Sequence, residues 1–96
     1  MSSYTRIGSV KTTIAILKYL GEQRAPVSGQ EIAQAVGIPH GTAMCHLATL
    51  ADDGFVRETQ GWFEIGTGFA LLFYRYKSLL EGKIERLNKE LQAIGG

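Results

Sequence analysis

The stretch of residues 28–55 constrains the fold of this chain more than any other part of it. Ser28 and Glu31 have the spacing of a capping box, in which the serine oxygen accepts a hydrogen bond from the first helical turn. Gly37 predicts the end of that helix, because glycine enters the left-handed region without strain. Pro39 predicts the start of a second helix, where its missing N–H costs nothing. Two short helices joined by a tight turn around a glycine are typical of a helix-turn-helix.

The second of these helices has one apolar face and one face of small, uncharged residues. Ala43, Leu47 and Leu50 recur at helical spacing and are expected to be buried. In a helix-turn-helix the second helix enters the major groove, where hydroxyls can bond to phosphates or bases and small apolar groups can contact thymine methyls. The candidate DNA-contacting residues on this helix are His40, Gly41, Thr42, Met44, Cys45 and Thr49. The same residues would also suit a helix that only faces solvent.

For the two histidines and the single cysteine of this stretch, structural roles are favoured over metal binding or redox chemistry. His46 is expected at the edge of the core as a hydrogen-bonded packing residue. His40, Cys45 and His46 point in different directions around the helix, so they do not predict a zinc site. No Lys or Arg lies within five residues of Cys45 to favour its thiolate, which argues against a redox sensor. We predict no catalytic residues, no metal and no cofactor.

The segments on either side predict a helix before this unit and a hairpin after it. Ser9 is a plausible N-cap of a first helix that ends at Gly21, and a short strand is expected near residues 25–27. Two β-prone runs, residues 55–58 and 62–65, flank a short turn that contains Gly61. We interpret them as the wing of a winged helix. Trp62 and Phe63 alternate along the second strand, so one should pack on the core.

The last helix, predicted from Phe69 to Ile94, carries a seven-residue apolar repeat. With Ile84 and Leu91 at position a of the heptad, and Leu80, Leu87 and Ile94 at position d, the pattern favours a parallel two-stranded coiled coil. Lys77 occupies an earlier a position. We call the residues of this repeat the apolar seam and predict that they dimerise the protein: Phe73, Leu80, Ile84, Leu87, Leu91 and Ile94.

Composition and charge bound the class of protein. Ninety-six residues, 45% of them hydrophobic, are enough for one domain with a modest core. The chain has one cysteine, no apolar run long enough to span a membrane and no signal-peptide core at its start, so we expect a cytoplasmic protein. Residues 1–69 contain five Lys or Arg and six Asp or Glu, a net charge of −1. The candidate phosphate-contacting cations are Arg6, Lys11 and Arg57, so any DNA binding should be modest and salt-sensitive.

Three segments of the chain together resemble a known family. The resemblance is to the DNA-binding half of IclR-type bacterial transcriptional regulators and extends over residues 9 to about 72. The similar segments are SVKTTIAILKYL, SGQEIAQAVGIPHGTAMCHLATLADDGFV and WFEIGTGFALL. The most specific matches are the Gly37-Ile38-Pro39 turn, residues 47–50, residues 54–56 and the Phe63-Glu64-Ile65-Gly66 wing exit. The resemblance implies a winged-helix fold, a dimer and binding to operator DNA.

The chain also departs from that family pattern. Family members usually continue into a large ligand-binding domain, whereas this chain stops at Gly96, so we expect no effector domain in it. The second helix lacks the Lys or Arg that the family usually places there, and His46 stands where the family has Leu.

The predicted fold class is mainly α with a small β wing, a winged helix-turn-helix plus a long C-terminal dimerisation helix. Residues 1–68 form the first unit and residues 69–96 the second. The leading function is a homodimeric transcriptional regulator that binds specific double-stranded DNA. The alternatives are a winged-helix adaptor that holds a protein partner, or an antagonist that pairs with a larger regulator.

Overall fold

A computed structural model describes residues 3–95, which form four α-helices and a three-stranded antiparallel sheet. The elements follow one another as α1 (Gly8–Gly21), β1 (Val27–Ser28), α2 (Gly29–Val36), α3 (His40–Asp52), β2 (Val56–Thr59), β3 (Trp62–Ile65) and α4 (Gly68–Gly95). This is a winged helix followed by a long helix, so the predicted fold class is confirmed. No helix of residues 3–95 is both long and apolar enough to cross a membrane.

The helix ends follow local chemistry. Ser28 caps α2, because the Glu31 N–H donates to Ser28 Oγ at 3.1 Å and the Ser28 hydroxyl donates to Glu31 Oε1 at 3.3 Å. Gly37 ends α2 with a φ of +80°, and its N–H donates to the Ala33 carbonyl. The serine cap and the glycine stop are therefore confirmed, whereas the Glu31 carboxylate accepts from the Ser28 hydroxyl and not from the Ser28 backbone N–H of a full capping box.

Two sequence-based boundaries were wrong by one or two residues. Ser9 does not cap α1: the helix begins at Gly8, Ile7 is its N-cap, and the Lys11 N–H donates to the Ile7 carbonyl at 3.1 Å. Ser9 lies inside the first turn, where its carbonyl accepts from the Thr13 hydroxyl. The short strand β1 begins at Val27, because Val27 and Ser28 are the residues that pair with β3.

The core lies between the three short helices and the inner face of the sheet. Helix α3 contributes the apolar side predicted from its period, and the sheet contributes alternate residues of its strands. Helix α1 contributes Ile16 and Leu20, whereas Val10 and Ile14, which the helical period also placed on its apolar face, are exposed. The buried residues that contact one another are Ile16, Leu20, Val27, Ile32, Leu47, Val56 and Phe63. Burying one such side chain fully stabilises the fold by about 1.5–3 kcal/mol.

The wing is a tight hairpin whose register sets which side chains face out. The strands run in the order β1-β3-β2, and Arg57 pairs with Glu64 across β2 and β3. Gln60 and Gly61 form the turn with φ values of 52° and 85°, as a two-residue turn between right-twisted strands requires. Phe63 is 3% exposed and Trp62 is 49% exposed, so the predicted alternation is confirmed.

Helix α4 leaves the winged helix at a joint made largely of main-chain atoms. The Gly66 N–H donates to the Phe55 carbonyl and the Gly68 N–H donates to the Gly54 carbonyl, both at 2.9 Å. The rings of Phe55 and Phe69 then meet edge to face with centroids 4.9 Å apart. Beyond this joint α4 has no buried residue, and every member of the apolar seam is exposed.

Candidate nucleic-acid interface

The outward side of α3 forms a continuous exposed surface on the helix that a helix-turn-helix presents to DNA. Ala43 and Leu47 have no exposed surface and hold the opposite side of α3 in the core. We call the exposed residues of α3 that were predicted to contact DNA, apart from Met44, the reading face: His40, Gly41, Thr42, Cys45 and Thr49. Gly41, Thr42, Cys45 and Thr49 lie on one side of the helix, whereas His40 lies at the start of α3 with its Nε2 directed toward the Gly29 backbone.

The N-terminus of α3 is open to an anion. Pro39 is the N-cap and supplies no side-chain hydrogen bond, and the first turn has no acidic residue. Ala43 is the first residue of α3 whose N–H has a backbone partner, the Pro39 carbonyl at 3.0 Å. The earlier N–H groups of the turn point along the helix axis with the positive end of its dipole, which favours a phosphate oxygen.

The two threonines of the reading face differ in what they can offer. The Thr49 hydroxyl donates to the Cys45 carbonyl of its own helix at 2.8 Å, so its oxygen remains only as an acceptor. Within residues 3–95 the Thr42 hydroxyl has no hydrogen-bond partner. Thr42 can therefore both donate and accept, and it lies in the N-terminal half of the helix that meets base edges.

Met44 is held at the interface between α2 and α3 and is not a free member of the reading face. A Cβ built on Gly29 would lie 2.5 Å from Met44 Sδ and 3.6 Å from His40 Nε2. The thioether therefore lies directly over the Gly29 backbone, although 36% of Met44 remains exposed. DNA contact by Met44 stays a prediction, because part of the side chain is exposed while its sulfur fills the space that the missing side chain of Gly29 leaves.

His46 links α3 to α1. Its Nδ1 atom lies 2.7 Å from Thr13 Oγ1, and the Thr13 hydroxyl also lies 2.9 Å from the Ser9 carbonyl. Because one hydroxyl proton cannot serve both acceptors, donation to Ser9 requires a proton on His46 Nδ1. The prediction of a hydrogen-bonded packing histidine is confirmed.

The predicted phosphate-contacting cations do not gather at the reading face. Arg57 lies on β2 of the wing, where it is opposite Glu64 of β3 in the strand register. Lys11 precedes Thr13 by two residues and is therefore about 160° around α1 from the side that contacts α3. It lies on the outer side of α1 beside Ile14. Arg6 is exposed in the segment before α1, where its Nη1 donates to the Tyr4 carbonyl.

Two residues that shape this surface were missed in the sequence. Gly29 is the first residue of α2, where most other residues would stabilise the helix more than glycine does. A glycine at this position was the sequence signal that another residue packs closely against the backbone. Thr13 offers no such signal, because its contact with His46 spans 33 positions. In the part of the chain that the structure describes, no three His, Cys, Asp or Glu side chains cluster as metal ligands, and Cys45 is a free, exposed thiol.

Comparison with known proteins places this geometry in a family. The family model described as the IclR helix-turn-helix domain matches residues 9–60, which is more than half of the chain. The chain belongs to the IclR helix-turn-helix family. The match covers α1 from its second residue onward, then β1, α2, α3 and the first strand of the wing. A search of curated proteins found no match.

Solved structures show the same fold. An IclR transcriptional regulator from Alicyclobacillus acidocaldarius is 24% identical with a TM-score of 0.74, over 78% of this chain and 31% of that one. An IclR family regulator from Brucella abortus is 22% identical with a TM-score of 0.67, over 74% and 28%. The ORF112 Zα domain of Cyprinid Herpesvirus 3, whose structure describes its binding mode to Z-DNA, is 26% identical with a TM-score of 0.55, over 62% of this chain and 98% of that one. This IclR-type chain thus spans about a third of the length of the two regulators.

Proposed function

We propose that this IclR-type domain binds a specific double-stranded DNA sequence and acts in transcriptional control as a homodimer. The observation that carries the proposal is the exposed reading face of α3, with its open helix N-terminus, in a helix-turn-helix of this family. The similarity to the Zα domain, which binds Z-DNA, supports contact between this fold and nucleic acid.

In this mechanism the N-terminal half of α3 enters the major groove. A phosphate oxygen lies at the open N-terminus near His40, and the missing side chain of Gly41 lets the backbone come close to the duplex. The Thr42 hydroxyl bonds to a base edge, and Cys45 contacts bases as a small apolar group. A good base contact contributes about 1–3 kcal/mol of discrimination.

The weak positive charge of the surface determines the expected strength of binding. The reading face has no Lys or Arg, and Arg57 and Lys11 lie on other elements, β2 and α1. Since phosphate neutralisation drives the salt-dependent part of DNA affinity, the slope of affinity against salt should correspond to only a few phosphates. The helix N-terminus supplies part of the attraction that side-chain cations do not.

The homodimer part of the proposal rests on α4. We divide the chain into a head, residues 1–68, which contains the winged helix, and a dimerisation helix, residues 69–96, whose apolar seam would pack on a second copy. Exposed apolar side chains in such a row mark an interaction surface. Dimeric binding would present two reading faces to DNA and would multiply the specificity of each.

The test separates base contacts from phosphate contacts. A duplex is selected from a random-sequence library, and affinities for it and for a scrambled duplex are measured with Thr42→Ala and Arg57→Ala. Thr42→Ala should weaken only the selected duplex, by roughly 5–150-fold, because a base contact carries sequence information. Arg57→Ala should weaken both alike. Ser78→Ala, which removes an exposed hydroxyl from α4, is the matched control.

A second candidate function is a protein-binding adaptor, favoured by the net −1 of residues 1–69 and by the many exposed apolar side chains. If folded Thr42→Ala keeps both affinities, α3 does not contact bases and the adaptor is the better interpretation. Nanomolar binding that survives high salt would instead contradict the charge reasoning.

A further inference from the structure

Helix α4 presents a surface that a second copy of the same helix can cover. It runs without interruption from Gly68 to Gly95, and its seam from Leu80 to Ile94 is exposed along the whole length. The spacing of 4-3-4-3 keeps these side chains on one side of a two-stranded coil. The charges of α4 determine whether the second helix runs parallel or antiparallel to the first.

A parallel pair has an electrostatic disadvantage. Lys77 occupies an a position, so in a parallel pair it would pack against its own copy in the same core layer. Lys83 at position g would face Asn88, and Glu90 would face Gly95, so neither charge would gain a partner. A β-branched residue at position a with leucine at position d favours parallel pairing, and only Ile84 and Leu87 follow that pattern. In the next heptad the types are reversed, with Leu91 at position a and Ile94 at position d.

An antiparallel pair with Ile84 opposite Leu87 of the second copy removes both problems. Every layer from residue 77 to 94 is then filled, with Leu80 opposite Leu91 and Lys77 opposite Ile94, along which its alkyl stem can lie. Position g now faces position g, so Lys83 of each chain meets Glu90 of the second copy. The pair gains two opposite-charge contacts and loses one like-charge contact.

We propose that α4 forms an antiparallel two-stranded coiled coil with a second copy of this chain, with Ile84 and Leu87 at its centre. This inference rests on the homodimer that the proposed function includes. The two heads then stand at opposite ends of the coil. At 1.5 Å per residue, the two Gly68 positions are about 50 Å apart, which corresponds to about 15 base pairs of B-DNA.

Disulfide cross-linking tests the direction in the full chain. Leu80→Cys and Leu91→Cys are prepared as separate variants in a Cys45→Ser background, and one of the two is labelled with ¹⁵N. Each variant is oxidised alone, and the two are also oxidised together in an equal mixture. In the antiparallel pair residue 80 lies about 16 Å from its own copy, too far for a disulfide. The expected product is a labelled–unlabelled dimer from the mixture, with only monomer from either variant alone.

Any other outcome overturns the inference, and each outcome identifies which part of it is wrong. Cross-linked dimer from Leu80→Cys alone would show a parallel coil and leave the homodimer intact. A parent chain of dimer mass with no cross-link in any sample would place the interface away from α4. A parent chain of monomer mass would overturn the homodimer together with the direction, and the DNA assays with Thr42→Ala would still decide DNA binding.

A charge exchange provides a second measurement that does not alter the seam. Lys83→Glu should weaken dimerisation roughly tenfold, because two attractive contacts become repulsive. Glu90→Lys should do the same, and the double variant Lys83→Glu with Glu90→Lys should recover the dissociation constant of the parent. Equal dissociation constants for all four proteins would contradict the contact between Lys83 and Glu90.

Discussion

Replacing Leu87 with lysine should dissociate the dimer that the apolar seam forms. Leu87 is 59% exposed in the single chain. Full burial of a leucine contributes about 1.5–3 kcal/mol, so covering this exposed part contributes about 1–2 kcal/mol per chain. A dimer loses two such contributions and gains two charges in its core. The dissociation constant should therefore rise by a factor of about 30 to 1,000.

Sedimentation equilibrium across a range of protein concentrations measures this change directly. Gln92→Lys adds the same charge at an exposed position of α4 outside the seam and should keep the dissociation constant of the parent. Circular dichroism of both variants checks that α4 remains helical. If Leu87→Lys and the parent have the same dimer mass, the seam is not the interface. The outer side of α1, where Val10 and Ile14 are exposed, would then be the next surface to alter.

Three further predictions concern contacts that shape the reading face, each measured by urea unfolding. Gly29→Ala should displace the Met44 side chain, so its effect on stability should be more favourable in a Met44→Ala background, and the two changes should be non-additive. His46→Ala should cost about 0.5–1.5 kcal/mol, and the cost should nearly vanish in a Thr13→Val background. Gly66→Ala should cost more than about 2 kcal/mol, because its Cβ would overlap the Gly54 carbonyl; a change within experimental error would contradict the close approach at the joint.

Features that depend on neighbours along the chain could be predicted from the sequence. Ser28 and Gly37 identify the ends of α2 through cap chemistry, and Gly61 identifies the hairpin turn through its positive φ. The alternation of Trp62 and Phe63 follows from strand geometry alone. These elements have the predicted type because few competing contacts act on them.

The contacts that shape the reading face could not be predicted in the same way. Whether Met44 points to solvent or over Gly29 depends on how closely α2 and α3 approach, which the residues of α3 do not specify. The side of α1 that carries Lys11 became clear only from the contact between Thr13 and His46. The sequence is sufficient to give the net charge of residues 1–69, but only the packing of the helices and strands shows which cations lie on the same surface.

The joint between the head and α4 makes the helix a lever. Because Gly54, Gly66 and Gly68 contact one another through main-chain atoms, the direction of α4 follows the backbone of the head and not the rotamer of any one side chain. The lever is about 40 Å long, so a tilt of 10° at its base would swing the far end by about 7 Å. Small changes at these glycines would therefore alter how far apart two paired heads stand, well before they unfold either one.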